Sequence, residues 1–89
     1  MIMITNKLLN RDFQGKIFNI EGVDRECNYC SLEDGGAWIW LNPNKNDNCD
    51  KINFIIKYEY SLSKLYRQVE NNESISPESY GYLVFQNDD

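Results

Sequence analysis

From Ile52 to Tyr60 the chain alternates. Ile52, Phe54, Ile56, Tyr58 and Tyr60 fall on one side of a two-residue period, with Asn53, Ile55, Lys57 and Glu59 on the other. That period belongs to a strand with one strongly apolar face. The period then lengthens. Leu62, Leu65, Tyr66 and Val69 recur at i, i+3, i+4 and i+7, and Ser61 or Ser63 can cap the run, which predicts an amphipathic helix ending near Asn71 and Asn72.

The same logic divides the rest of the chain. Thr5 or Asn6 can cap a short helix running to Phe13, and Gly15 stands where a left-handed residue would stop it. Residues 16–23 and 26–33 read as strands, and Glu33-Asp34-Gly35-Gly36 as a turn whose glycines permit positive φ. Ala37–Leu41 is expected to return antiparallel to the strand before it. Asn42–Asp50 is polar and rich in side chains that bond their own backbone, so it reads as a loop. After the second helix, a linker with Pro77 leads to a last strand at Tyr80–Gln86, and Asn87–Asp89 should fray. The order α-β-β-β-β-α-β predicts a single α+β domain over residues 1–89, a mainly antiparallel sheet of about five strands packed by one or two short helices.

Two strands in this plan are apolar on both sides. Trp38 and Trp40 share one face of their strand while Ala37, Ile39 and Leu41 share the other. The last strand repeats the pattern, with Tyr80, Tyr82 and Val84 opposite Leu83 and Phe85. One face can meet the helices. The second must be covered as in a central strand, or must serve as a contact patch, since Trp and Tyr are enriched at binding hot spots. Base stacking on these rings is a weaker reading because Lys and Arg do not accompany them.

Charge narrows the partner. The chain of 89 residues has a net charge of -5, with nine Lys and Arg residues that cluster nowhere. Such a surface repels phosphate backbones and suits basic proteins, so direct nucleic-acid binding is disfavoured. The carboxylates fall in groups, mostly at turns or element ends: Glu70, Glu73 and Glu78; Asp88 and Asp89; and, as contact candidates, Glu21, Asp24 and Glu26, Glu33 and Asp34, and Asp47 and Asp50. Displayed together, they could stand where DNA phosphates would lie. With Trp38 and Trp40 the contact candidates form the expected partner-binding set.

There is no histidine. The usual proton shuttle and metal ligand is therefore missing, and the chain offers neither a phosphate loop nor a nucleophile beside a base. Cys27-x-x-Cys30 with Cys49 resembles part of a zinc site, but no fourth ligand is evident. On a regular strand Cys27 and Cys30 would also point to opposite faces. Free thiols, no metal and no cofactor are expected. The odd cysteine count and the lack of an apolar run of about 20 residues point to a cytoplasmic, non-membrane protein. The functional expectation is a non-catalytic acidic protein that inhibits a basic, nucleic-acid-handling protein, of the phage-borne anti-restriction or anti-CRISPR type. The alternatives are an immunity or antitoxin protein that neutralises a nuclease, and a homo-oligomeric assembly subunit joined through its aromatic faces.

Overall fold

Thr5 starts the first helix: its Oγ1 accepts the Leu8 N–H at 3.2 Å, and α1 (Asn6–Phe13) follows. Leu9 and Phe13, four residues apart, form its buried stripe. Beyond the helix Gly15 adopts φ +84°, a left-handed conformation that costs glycine little, and its N–H donates to the Cys27 carbonyl at 2.9 Å. The structure, a computed structural model, describes residues 4–88. Met1–Met3 and Asp89, the last residue of the expected tail, lie outside the described residues.

Five strands follow: β1 (Ile17–Ile20), β2 (Val23–Glu33), β3 (Gly36–Leu41), β4 (Lys51–Ile56) and β5 (Gly81–Gln86). They form one antiparallel sheet in the order β1-β2-β3-β4-β5. With α1 and α2 (Leu62–Glu70) they make the α+β architecture expected from the sequence. Leu9, Phe13, Leu62 and Leu65 of the helices pack with Phe18, Ile20, Ile39 and Phe54 of the sheet in one buried cluster. The Phe13 and Phe18 rings meet edge to face at 5.2 Å. No helix is long and apolar enough to cross a membrane among the described residues.

Three local expectations need correction. The strand expected over 16–23 ends at Ile20, because Glu21 and Gly22, with φ 53° and 84°, make a two-residue turn that pairs Ile20 with Val23. Asn19 Oδ1 accepts the Gly22 N–H at 3.2 Å and reinforces the turn. The alternation running to Tyr60 ends as a strand at Ile56. The chain then leaves the ladder for a 3₁₀ turn (Glu59–Ser61) that feeds α2, and Glu59 N–H donates to Gly35 O at 3.1 Å. Tyr58 and Tyr60 stay exposed and stack on one another at 5.4 Å.

The third correction concerns the cysteines. The β2–β3 register shifts between Cys27 and Tyr29, so Asn28 is an extra residue that interrupts the inward and outward alternation. Cys27 and Cys30 therefore both point into the core, and their sulfurs lie 3.6 Å apart. The bulge also marks the point where β2 changes partner, from β1 to β3.

The linker after α2 closes one sheet edge. Ile75 forms a parallel bridge with Ile20, donating its N–H to Asn19 O at 2.7 Å and accepting that of Glu21 at 3.0 Å. At the far end of the chain Asp88 N–H donates to Asp50 Oδ2 at 2.7 Å, and the Asp88 carboxylate lies 3.1 Å from Lys51 Nζ.

Candidate interaction face

Cross-strand partners point to the same side of a sheet, so the register assigns the outer face. Trp40 lies between Tyr29 and Asn53, and Trp38 between Ser31 and Ile55. Asn53 and Ile55 are in turn opposite Val84 and Tyr82. The buried β3 residues Ala37, Ile39 and Leu41 face the helices, leaving this second face turned away from them. Tyr29, Trp38 and Tyr82 are 45%, 37% and 49% exposed. Tyr29 stacks on Trp40 at 5.9 Å and 21°, while Trp38 meets Trp40 nearly at right angles at 6.2 Å. The rings thus hold one another in place across β2 and β3.

At the centre of this face Asn53 is only 3% exposed, and its Oδ1 has no hydrogen-bond partner. A buried acceptor left unpaired costs stability, on the order of 1–3 kcal/mol.

The sequence-derived carboxylates do not form one patch. Glu33 and Asp34 lie at the β2–β3 turn, next to the strand pair that carries Ser31 and Trp38, and Glu33 Oε2 accepts the Ser31 hydroxyl at 3.1 Å. Glu21, Asp24 and Glu26 lie at the other end of β2. Along an extended strand the nine-residue step from Asp24 to Glu33 spans roughly 30 Å, less the bend at the bulge. All five are exposed. Asp50 is exposed and holds the tail.

Asp47 is placed differently. Its carboxylate accepts a hydrogen bond from Arg25, which is almost wholly buried, and the Asn44 N–H at 2.5 Å. The hydrogen bond from Arg25 holds the Asp47 carboxyl below the usual carboxylate range. The other face of the guanidinium stacks 5.7 Å above the Phe85 ring. The pair ties the 42–50 loop to β2 across 22 residues of sequence. Sequence reading treated Arg25 and Asp47 separately, and no local pattern signals such a long-range ion pair.

A second concavity, about 660 Å³, lies between α1 and α2 and includes Arg11, Asp12, Lys16 and Tyr66. Tyr66 donates its hydroxyl to Asp12 Oδ2 at 3.0 Å. Burial, then that hydrogen bond, pushes the Tyr66 phenol up to about 12. The Arg11 hydrogen bond lowers the Asp12 carboxyl. Both shifts carry these groups away from neutrality, the opposite of what a general acid or base requires. Among the described residues no group of three or more His, Cys, Asp or Glu side chains could hold a metal ion. The Cys27 thiol is pushed far up by its hydrogen bond with Cys30 and by burial, so it stays protonated.

Compared with known proteins, the chain matches no protein family, no curated protein and no solved structure.

Proposed function

We propose that this chain is a non-catalytic binding protein that captures a basic protein through the outer face of its sheet. The observation that carries the reading is the exposed pair Tyr29 and Trp38, locked through Trp40, with Tyr82 exposed on the same face and Glu33 and Asp34 at one end of β2, Asp24 and Glu26 at the other. Aromatic centres supply contact area at low entropic cost, and rim carboxylates steer a basic partner and fix its orientation. A nucleic-acid-handling protein is the partner class that presents such a basic surface, and occupying that surface inhibits it. Carboxylates at both ends of the face disfavour packing this face on a second copy of itself.

The test uses host proteins retained by the immobilised chain, with affinity and rates then measured against the purified partner. Trp38→Ala with Trp40→Ala should weaken binding by about 30-fold or more, the equivalent of a hot spot of about 2 kcal/mol. Glu33→Lys with Asp34→Lys should chiefly slow association, by roughly 10-fold, and flatten its dependence on salt. A complex indifferent to both double variants and to salt would exclude this face as the contact.

A further inference from the structure

Along the edge of β2 that faces away from β3, the bonding partner changes at the bulge. Cys27 N–H donates to Lys16 O at 2.8 Å and its carbonyl accepts the Gly15 N–H at 2.9 Å, so Cys27 is tied to the segment that leads into β1. Beyond the bulge α1 takes over this edge. Asn10 Oδ1 accepts the Cys30 N–H and Asn10 Nδ2 donates to the Cys30 carbonyl, both at 2.7 Å. Four hydrogen bonds thus fix the two cysteine backbones on either side of Asn28.

This anchoring brings the thiols within reach of one another. Cys27 lies opposite Leu41 and Cys30 opposite Ile39, residues two apart on β3, so the cysteine Cα atoms are separated by two strand steps, about 6.5 Å. Disulfides span Cα separations of about 4.4–6.8 Å. The sulfurs are already in contact at 3.6 Å, and neither residue is more than 3% exposed. Rotation of the two side chains closes the remaining gap to a bond of about 2.05 Å. A structural zinc takes four ligands, and among the described residues no group of three or more His, Cys, Asp or Glu side chains stands together. The two sulfurs are placed for each other.

We propose that Cys27 and Cys30 form a dithiol oxidation site that closes to an intramolecular disulfide across the Asn28 bulge, with a low-molecular-weight disulfide as the oxidant. One cysteine thiolate attacks the oxidant, whose S–S bond breaks, leaving a mixed disulfide and releasing one thiol. The other cysteine attacks the mixed disulfide at the protein sulfur, the new S–S bond forms and a second thiol leaves. Two protein thiols thereby give up two electrons and two protons, and the oxidant is reduced to two thiols. The first attack passes through an opening of the contact between α1 and β2, because both sulfurs are buried and Cys27 is held protonated while that contact is closed. The bond joins the limb of β2 that pairs with β1 and carries Asp24 and Glu26 to the limb that pairs with β3 and carries Tyr29 and Glu33. Oxidation therefore fixes the bend of β2, and the inference stands independently of what the outer face binds.

The native structure holds the sulfurs together and the unfolded chain does not, so disulfide and fold favour one another to the same degree. The wild-type chain is brought to equilibrium in glutathione redox buffers, folded or in denaturing urea, and the bond is read by mass on the tryptic fragment 26–45, which contains Cys27 and Cys30 but not Cys49. At fixed reduced glutathione, the folded chain should close the bond with about 10-fold less oxidised glutathione than the unfolded chain needs. The oxidised protein should unfold at higher urea than the reduced one, and amide hydrogen exchange over residues 27–31 should slow by about 10-fold. Equal thresholds for the folded and unfolded chains, glutathione retained on Cys27 or Cys30 in place of the closed bond, a bond from either to Cys49, or an oxidised form that exchanges or unfolds as readily as the reduced one would each overturn the proposal. No cysteine variant is needed, so the result does not depend on whether one folds.

Discussion

Arg25 donates a charge-assisted hydrogen bond to Asp47, and the pair is almost wholly buried, whereas the other ion pairs among the described residues, Arg11–Asp12 and Lys51–Asp88, are more exposed. Removing one member of a buried pair leaves the other charge uncompensated. Asp47→Asn should therefore cost about 3 kcal/mol by urea titration at neutral pH. Because the folded carboxyl is held low by Arg25, its stabilisation is complete above the unfolded value of about 4 and fades as pH falls through the folded value. The acid limb of the stability profile should flatten in the variant. The three thiols give a second residue-level expectation. Cys27 and Cys30 are buried and Cys49 is half-buried, so iodoacetamide should label one site per native chain, at Cys49, and all three after denaturation, as read by intact mass. Rapid native labelling at Cys27 would mean the core is open there.

At the scale of elements, α1 is fastened to β2 by Asn10, whose side chain accepts the Cys30 N–H and donates to the Cys30 carbonyl, both at 2.7 Å. Asn6 Oδ1 accepts the Leu32 N–H at 2.6 Å further along. Asn10→Ala should cost about 1–3 kcal/mol by leaving a part-buried N–H unpaired, and Phe54→Ala, emptying the sheet side of the core, about 3–5 kcal/mol. Denaturant titration checks both, and a loss under about 0.5 kcal/mol for Phe54→Ala would place it outside the core. The two helices were readable in advance for local reasons: Thr5 before Leu9 and Phe13 is a cap and a stripe, and the change of period after Tyr60 marks the start of α2. The Asn28 bulge was not readable, because it exists only in the register between β2 and two different partners, and missing it misplaced Cys27 against Cys30. Tyr58 and Tyr60 kept the alternation after the strand had lost its neighbours. Alternation put Trp38 and Trp40 on one face, but their exposure depends on which face the helices chose, and that choice is made by Leu9, Phe13, Leu62 and Leu65 elsewhere in the chain.

For the whole molecule, the helices take one side of the sheet and the aromatic rings take the other, with carboxylates displaced to the ends of β2. The one-after-another strand order has a kinetic consequence. Every strand pairs with the next in sequence, and only the β4–β5 connection, which carries α2, is long. Chain closure for the first three hairpins is entropically cheap, so relaxation should be a single exponential on the order of 10 ms in water, followed by tryptophan fluorescence in a stopped-flow instrument. Substitutions that loosen the β2–β3 turn at Gly35 should slow folding, while substitutions in β5, docked last across the longest connection, should mainly hasten unfolding. Until β5 docks, β4 has a free edge in every folding chain, and the transient species most prone to self-association is one in which the first four strands are formed and Ile52, Phe54 and Ile56 still lack their last neighbour.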